Sequence, residues 1–387
     1  MASQIPRKTL EGRNRSLVRP WGHSGWRSEV MLRSSESREL WIVAQGHGGH
    51  RMMYVRLLAE AALERGLRPV LVISPAAHVS AEFSLHLSDL QSRMCTLTLE
   101  DFSVDSVQAA IPAEMHTRTV FPEGDYWLKS LALRRRRWPG GAQILVMRPH
   151  GQSSRRAVRV VQSASKAALR TVGRMRPDLS VTSLRSFTSR PRLWTVPDPV
   201  RFDGTQARAE ELVSAWNRAA VEAPTYWVGV LGALNSRKNL RLVAEALASI
   251  SDIKVGLVVA GNCEEGEQVM SEWLAPAVEA RVSVIRRAGL LEEDELDSMV
   301  RALDCLVLAH SNEGPSGMLG KAKAIGTRVV VAGAKSLKRD ARNLNDGTRW
   351  VRLSAPALAD AIKRTLDSPP PPPRHSTAGE FASVLID

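Results

Sequence analysis

The sequence predicts an α/β protein in which two Rossmann-like, doubly wound parallel sheets face each other across a cleft. Three observations lead to this fold class. Short runs of buried-type residues alternate with amphipathic helical patterns along most of the chain, which is typical of β-α-β units and parallel strand pairing. Glycine-rich turns follow several of these runs, at the sheet edge where open α/β proteins bind ligands. The length of 387 residues suits two domains of ordinary size.

The first domain is predicted over residues 39–197. A strand at residues 40–44 leads into a glycine-rich turn at residues 46–49. The helical pattern behind this turn ends at Gly66, and a second buried strand follows it, which makes one β-α-β unit. The remaining predicted elements are weaker strands near residues 94–99 and 143–149 and a helix over residues 154–175.

The second domain is predicted over residues 198–367, behind a connection that contains two prolines. Strand and helix patterns alternate more regularly here than in the first domain. Five consecutive prolines follow the last helical pattern and favour an extended polyproline II conformation, so residues 368–387 are interpreted as a proline-rich tail. Residues 1–38 are interpreted as a mostly disordered basic tail, because no apolar pattern follows their basic residues.

Composition argues against several classes of protein. The three cysteines are far apart in sequence, at Cys95, Cys263 and Cys305, and no histidine or cysteine lies at zinc-ligand spacing. Neither a disulfide framework nor a metal site is therefore expected, and a reduced cytoplasmic setting fits best. No apolar run approaches the ~18 residues that a membrane span requires, and the N-terminus lacks the apolar core of a secretory signal.

The positive charge is concentrated in one segment, residues 134–192. This segment contains fourteen arginines and one lysine against a single acid, Asp178, whereas the whole chain has a net charge of +13. Its helical pattern has an apolar stripe and a basic opposite side, and we expect a basic face on the first domain. Three interpretations remain open, which are a solvated charged helix, attachment to an anionic membrane or a phosphate-bearing acceptor, and nucleic-acid binding.

The candidate site lies at the carboxyl ends of the strands in the second domain. Arg237 and Lys238 begin a helix after the first of these strands, and a helix beginning near Gly317 follows the sequence HSNEGPSG. Free amides and the helix dipole at such an N-terminus favour an anion, most often a phosphate. Glycines at 314 and 317 let the backbone approach a ligand closely, and Lys238 can add a point charge to the same phosphates.

These motifs, taken in order, resemble the second domain of the retaining GT-B glycosyltransferases of family 4, also called group 1. The residues that carry the resemblance read G-x-L-x-x-x-K-N, V-A-G-N, LEEDEL, ALDCLVLAHSNEGPSG and AKAIGTRVVV. The resemblance covers about residues 226–366 well and residues 40–197 weakly. It implies a GT-B fold and transfer of a sugar from a nucleotide-diphosphate donor to an acceptor that the sequence does not identify.

The resemblance also implies roles for individual residues. Glu313 matches the acid that contacts hydroxyls of the donor sugar, Lys238 matches the lysine that neutralises the diphosphate, and His150 matches a histidine that lines the sugar pocket. The residues expected to hold the donor are Arg237, Gly314, Ser316, Gly317, Met318 and Lys321 in the second domain and Gly48 and Gly49 in the first. Fixed positive groups would take the electrostatic role of a metal, so neither a metal nor a cofactor is expected besides the donor itself.

The sequence departs from the family pattern at two positions. Lys321 stands where the family has the second acid of its motif, which grips the ribose, and Ala233 stands where it has an arginine beside the phosphates. Arg237 is an alternative source of that charge. These departures keep a non-catalytic GT-B-like binding protein as an alternative to the enzyme, and the basic segment keeps nucleic-acid binding as another. For the enzyme, we expect a cytoplasmic protein, peripheral at the inner membrane leaflet if its acceptor is linked to a lipid.

Overall fold

The computed structural model describes residues 38–48, 51–112, 118–149, 151, 155–263, 265–314 and 316–387. The predicted basic tail therefore lies almost wholly outside the described residues. Within these ranges the chain forms two parallel sheets, one of seven strands and one of six. This confirms the predicted fold class of two doubly wound α/β domains.

The strands of the first sheet lie in the order β3-β2-β1-β4-β5-β6-β7. They are β1 (Glu39–Ala44), β2 (Arg68–Ile73), β3 (Cys95–Thr98), β4 (Arg118–Phe121), β5 (Ala142–Val146), β6 (Leu179–Arg185) and β7 (Thr195–Pro197). The chain order reverses beside β1, so the loops after β1 and β4 lie next to each other at the carboxyl edge of the sheet.

Helices cover both faces of the first sheet. They are α1 (Arg51–Glu64), α2 (Pro75–His78), α3 (Ala81–Leu87), α4 (Val104–Ala110), α5 (Gly124–Ala132) and α6 (Arg156–Arg174). Successive residues of β1 point to opposite faces, as the period of a strand requires. Ile42 packs with α1 on one face, and Val43 packs with the aromatic cluster of Phe121, Trp127 and Trp138 on the other.

The second sheet has the strand order β10-β9-β8-β11-β12-β13. Its strands are β8 (Tyr226–Leu231), β9 (Val255–Gly261), β10 (Ser283–Ala288), β11 (Cys305–His310), β12 (Arg328–Gly333) and β13 (Arg349–Val351). Its helices are α7 (Gln206–Ala219), α8 (Leu240–Ala248), α9 (Glu267–Glu279), α10 (Glu293–Ala302), α11 (Gly317–Ile325), α12 (Lys335–Leu344) and α13 (Ala355–Leu366). The order reverses between β8 and β11, so the loops after these two strands share the carboxyl edge.

The end of the chain returns to the first domain. After the prolines, Ala378–Ile386 form a further helix, α14. The side chains of Phe381 and Leu385 are fully buried in the core of the first sheet, and the Phe381 ring lies 5.0 Å from the Tyr54 ring of α1. The interpretation of residues 368–387 as only a proline-rich tail is therefore wrong, because the apolar side chains of α14 close one face of the first sheet.

Polar contacts join the two sheet domains near their connection. The Tyr54 hydroxyl donates to Asp198 Oδ1 at 2.7 Å, and the Arg201 guanidinium forms an ion pair with Glu60 at 2.6 Å. Across the domains, the Thr188 hydroxyl donates to Asp340 at 2.8 Å. These contacts hold the carboxyl edges of the two sheets on either side of one cleft.

Candidate active site

Two loops of the second domain are tied together at the carboxyl edge. Asn239 adopts the left-handed conformation at φ 49°, and its amide donates to the Ala309 carbonyl of β11 at 2.7 Å. The backbone N–H of Ser311 donates to the Arg237 carbonyl at 2.9 Å. The loop after β8, which carries the predicted cations, is therefore fixed against the end of β11.

Lys238 lies at this edge, beside the first turn of α11. Its ammonium donates to the Leu231 carbonyl, which ends β8. A Cβ atom built on Gly232 would lie 3.1 Å from Lys238 Nζ and 4.0 Å from Met318 Cγ. Because Gly232 has a φ of +88° and no side chain, the lysine and the helix terminus can meet across it. The structure thus brings Lys238 and Met318 together at this edge.

The helix α11 begins at Gly317, as predicted, with Ser316 as its N-cap. The Ser316 hydroxyl accepts from the Leu319 N–H at 3.4 Å, which satisfies one amide of the first turn. The N–H groups of Gly317 and Met318 precede the first intrahelical hydrogen bond. A Cβ atom on Gly314, whose φ is +151°, would meet no described atom within 4 Å, so this backbone is open to close approach by a ligand.

Glu313 makes a structural contact that the sequence does not predict. Its two carboxylate oxygens accept from the backbone N–H groups of Lys335 at 3.0 Å and Ser336 at 2.8 Å. The carboxylate therefore caps the N-terminus of α12, and its negative charge interacts favourably with the helix dipole there. The side chain is exposed, and its predicted contact with the donor sugar stays a prediction.

The two cations also act on His310, the last residue of β11. Burial, together with the positive charges of Lys238 and Arg237, lowers the pKa of His310 to about 4. This histidine is therefore neutral at neutral pH. Burial is the main cause of this shift and the two cations add to it. Positive charge is therefore present at the carboxyl edge of the second sheet, where it can favour an anionic ligand.

Lys321 is buried in an ion-pair cluster. Its ammonium lies 2.7 Å from Glu293 and 2.6 Å from Asp297, both on α10, and 3.3 Å from the Arg201 carbonyl in the domain connection. Burial alone lowers the pKa of Lys321, but the two carboxylates outweigh this effect and raise it. Burial also raises the pKa of Asp297 to about 6. The lysine thus joins α11 to α10 and to the connection between the domains.

The first domain contributes a partly buried ion pair to its own carboxyl edge. Glu123 follows β4, and Arg51 begins α1; the Arg51 Nε lies 2.5 Å from Glu123 Oε1. Burial raises the pKa of Glu123, opposed by Arg51. A Cβ atom on Gly46 would lie 2.6 Å from Arg51 Nη1, so the arginine side chain packs directly against this glycine. The sequence does not predict Glu123 and Arg51 as site residues, because the strand β4 before Glu123 has only four residues and shows no clear pattern.

The remaining predicted residues of the first domain are only partly described. Gly48 follows the turn after β1, and a Cβ atom there would meet no described atom within 4 Å. Gly49 and His150 lie outside the described residues. Among the residues that the structure does describe, no cluster of three metal-ligating side chains occurs.

A separate cavity of about 390 Å³ lies between α1 and α3 of the first domain and the first turn of α10. Arg56 and Arg201 line it from the first domain and the connection, and Glu292, Glu293 and Asp294 line it from α10. Lys238 and Glu313 do not belong to this lining. It adjoins the Lys321 cluster through Glu293.

Comparison with known proteins identifies relatives of both the second domain and the whole fold. Residues 225–368 match the family of group 1 glycosyl transferases. A curated relative, 2-deoxystreptamine glucosyltransferase of Streptomyces kanamyceticus, is 25% identical over 176 residues, which cover 45% of this chain and 44% of the relative. The match therefore spans less than half the length of that relative.

Solved structures resemble the chain over most of its length. HepE of Anabaena, in complex with UDP and glucose, has a TM-score of 0.58 at 15% identity and covers 90% of this chain and 96% of its own. A glycosyltransferase of Rickettsia africae has a TM-score of 0.58 at 10% identity, covering 90% and 92%. Sucrose-phosphate synthase of Thermosynechococcus elongatus has a TM-score of 0.54 at 14% identity, covering 90% and 95%. The chain thus has the two-domain GT-B fold of glycosyltransferases, and its second sheet domain matches the group 1 family.

Proposed function

We propose that the protein is a glycosyltransferase that moves a sugar from a nucleotide-diphosphate donor to an acceptor bound on the first domain. The observation that carries the proposal is the placement of the Lys238 ammonium beside Met318 in the first turn of α11. A cation and helix amides at one sheet edge are suited to a diphosphate. Solved HepE structures contain UDP or UDP-glucose, which supports the same class of donor here.

The chemistry requires stabilisation of the leaving group. The bond between the sugar C1 and the diphosphate oxygen breaks, and its electron pair stays on the diphosphate. The acceptor oxygen bonds to C1 while its proton passes to an oxygen of the departing phosphate. Lys238, Arg237 and the amides of Gly317 and Met318 stabilise the charge that develops. Transfer on the face that the diphosphate leaves retains the anomeric configuration, as the resemblance to family 4 implies.

The other predicted residues take supporting roles in this proposal. The backbone at Gly314 and Ser316 lets the sugar-diphosphate approach, and Glu313 accepts hydrogen bonds from sugar hydroxyls with lone pairs that its capping bonds leave. Lys321 acts as a positioning residue, because Glu293 and Asp297 hold its ammonium. Fixed positive groups provide the electrostatic stabilisation that a bound cation provides in other transferases.

The acceptor is proposed only as a chemical class. Glu123 and Arg51 place a partly buried ion pair at the carboxyl edge of the first sheet, where an acceptor hydroxyl would be oriented. A lipid-linked, cell-envelope or secondary-metabolite acceptor fits a cytoplasmic enzyme of this class. The relative that acts on 2-deoxystreptamine by its name makes amino-containing acceptors a sensible first panel.

Donor binding is tested by isothermal calorimetry with a panel of nucleoside diphosphates, UDP first. Lys238→Ala removes a charge-assisted contact worth about 1.5–3 kcal/mol, so we expect Kd to rise about tenfold to a hundredfold. Lys254→Ala is the matched control, because Lys254 precedes β9 at the opposite edge of the sheet. Equal affinities of the wild type and Lys238→Ala would contradict the site.

Turnover separates an enzyme from the non-catalytic alternative. That alternative rests on Ala233 and Lys321, which stand where the family pattern has an arginine and an acid. The wild type is incubated with UDP-sugars and an acceptor panel, and released UDP is measured. We expect release that Lys238→Ala reduces and Lys254→Ala does not. Binding of UDP without release from any donor would support a binding protein instead.

A further inference from the structure

The helix α6 docks on the first domain by its basic side. Its Lys166 ammonium lies 2.7 Å from Asp125, and the Arg170 guanidinium donates to the Ser183 hydroxyl at 3.1 Å. Near the end of the helix, Arg174 Nε donates to the Val181 carbonyl at 3.0 Å. A surface helix usually turns its apolar stripe to the core. The expectation that α6 presents a basic face is therefore wrong for its centre.

The opposite face of α6 is apolar and exposed. Residues at helical spacing on this face are Ala157, Val161, Ala164, Ala168 and Val172, with Val158 and Val160 beside them. Val161 is 67% exposed. Burying such a stripe is favourable in proportion to its apolar area, and no described residue of the chain covers it. The helix is about 28 Å long at the usual rise per residue, so the stripe is a continuous strip rather than a single exposed side chain.

Two neighbouring hydrophobic residues extend this strip at its C-terminal end. Met175 follows the helix and is 79% exposed, and Leu193, in the loop before β7, is 88% exposed. Trp194, 51% exposed, lies against Arg174, whose guanidinium is 5.5 Å from the indole ring. A large aromatic ring beside an arginine at the rim of an apolar surface is typical of proteins that sit at a membrane–water interface.

Exposed arginines form a rim at the C-terminal end of the strip. Arg190 and Arg192 are exposed in the loop before β7, next to Leu193 and Trp194. Residues 135–137 are exposed arginines too, and Arg176 fixes this loop by donating to the carbonyls of Arg134 and Arg136. The single acid of the segment, Asp178, is held by Arg176 at 2.7 Å. The rim of the strip is therefore positively charged.

We propose that this surface, the outward strip of α6 with Met175, Leu193 and Trp194, docks the protein onto an anionic lipid bilayer. The strip would enter the boundary between headgroups and acyl chains, as interfacial helices do. The arginine rim would contact anionic headgroups, and each such cation contributes about 1 kcal/mol near the surface. The surface needs to enter the bilayer no deeper than its valine side chains reach.

Two other occupants fit the surface less well. RNA binding relies on phosphates and on aromatic stacking, but the outward centre of α6 carries valines and alanines. A second copy of the chain would bring two arginine rims together, and like charges at an interface are unfavourable. An anionic bilayer matches both the apolar centre and the cationic rim.

The position of α6 relates this surface to the cleft. The helix follows β5, so its first turn lies at the carboxyl edge of the first sheet, on the acceptor side. If the proposed function holds, docking would place the cleft next to the bilayer and suit an acceptor that carries a lipid. Docking itself does not depend on donor chemistry, so vesicle binding and UDP binding can fail independently.

The test is cosedimentation of the full chain with vesicles of phosphatidylcholine, with or without one third phosphatidylglycerol, at low and high salt. We expect binding to the anionic vesicles at low salt and weaker binding at high salt, because salt screens exposed charges. Val161→Glu should lower the partition coefficient about tenfold or more. Val278→Glu is the matched control, since Val278 is a 60% exposed helical valine on α9 of the second domain, and it should bind as the wild type does.

A second pair of variants tests the rim. Arg192→Glu should weaken binding about fivefold or more, whereas Arg218→Glu, at an exposed position on α7, should not. Equal urea midpoints for all four variants would show that they fold alike. Equal binding to neutral and anionic vesicles, or wild-type binding by Val161→Glu, would overturn the proposal. So would RNA binding that outcompetes vesicles, or a dimer in sedimentation velocity that Val161→Glu dissociates.

Discussion

The two sheet domains differ in which part of the chain completes them. In the second domain, the faces of the sheet are covered by helices from the same stretch of chain, beginning with α7 just before β8 and ending with α13. In the first domain, one face is closed by α14, which lies some 180 residues beyond β7 in the sequence and is reached only after the chain has passed along the second domain. The second domain is thus built from local units, whereas the first depends on the far end of the chain.

The largest test of this difference is Phe381→Ala in α14. The Phe381 side chain is fully buried against Tyr54, and removing a buried phenylalanine side chain costs about 4 kcal/mol in transfer and cavity terms. We expect the free energy of unfolding from urea titration to fall by about that amount. Because the contact links α14 to α1, hydrogen exchange should rise in the first sheet far more than in the second.

Val384→Ala is the matched control on the same helix, since Val384 is 40% exposed and should cost well under half as much. Equal effects of the two substitutions would show that α14 is not packed as described. Loss of protection in both sheets alike would mean that the domains unfold as one unit, and the comparison between them would fail.

The sequence predicts the second domain well because its signals are local. The start of α11 at Gly317 follows from a glycine-rich turn and a helical pattern, and both are visible within ten residues. The packing of α14 could not be predicted in this way, since five prolines precede it and its partner Tyr54 is more than 300 residues away. Glu123 was missed for a related reason, because β4 is too short to show a strand period.

Lys321 shows the same limit within the second domain. Its type and position are plain in the sequence, but its partners Glu293 and Asp297 belong to another helix and meet it only when α10 packs against α11. A lysine on a helix is usually solvated, and only its surroundings show that this one is buried. Its role therefore depends on tertiary packing, and measurements of unfolding free energy can test it.

Lys321→Met should cost about 3 kcal/mol, because it leaves Asp297 buried without its cation. The loss should be smaller at pH 5 than at pH 8. The pKa of Asp297 is already raised and would rise further without Lys321. As pH increases through this raised pKa, the buried carboxyl becomes charged without a partner, and the folded state loses more stability. Urea titrations at the two pH values measure this.

The control for Lys321→Met is Lys363→Met, which removes a surface ion pair with Asp252 and should cost under about 1 kcal/mol. Adding Asp297→Asn to Lys321→Met should recover part of the loss and flatten its pH dependence. No recovery in the double variant would mean that Lys321 stabilises the fold by packing rather than by charge.

His310 provides a smaller test at the candidate site. Its pKa is lowered to about 4 by burial and by the charges of Lys238 and Arg237, against about 6.5 in an unfolded chain. Between these two pH values the unfolded state therefore binds more protons than the folded state. The free energy of unfolding falls as pH falls through this range. Between pH 7 and pH 5 we expect His310 to account for a loss of about 2 kcal/mol.

The measurement for His310 is the difference in unfolding free energy between pH 7 and pH 5. His310→Asn should reduce that difference, and His375→Asn, at an exposed position near the prolines, should leave it unchanged. Lys238→Ala should also reduce it, since this lysine contributes to the lowered pKa. If Lys238→Ala changed UDP affinity without changing the pH dependence, the lysine would not lie near His310 in solution.

The smallest expected effect on stability concerns Glu313, and it separates structure from function at one residue. Glu313→Ala removes the cap of α12, which should cost about 1 kcal/mol. If capping is its only role, affinities for UDP and for a UDP-sugar should be unchanged once the variant is folded. If Glu313 also accepts hydrogen bonds from the sugar, as proposed, affinity for the UDP-sugar should fall about tenfold, while affinity for UDP stays the same.

Glu313→Gln, which keeps one carbonyl acceptor for the cap, should retain more stability than Glu313→Ala and still lose affinity for the UDP-sugar. A fall in UDP affinity equal to that for the UDP-sugar would instead place the effect on α12 and the loop that it supports.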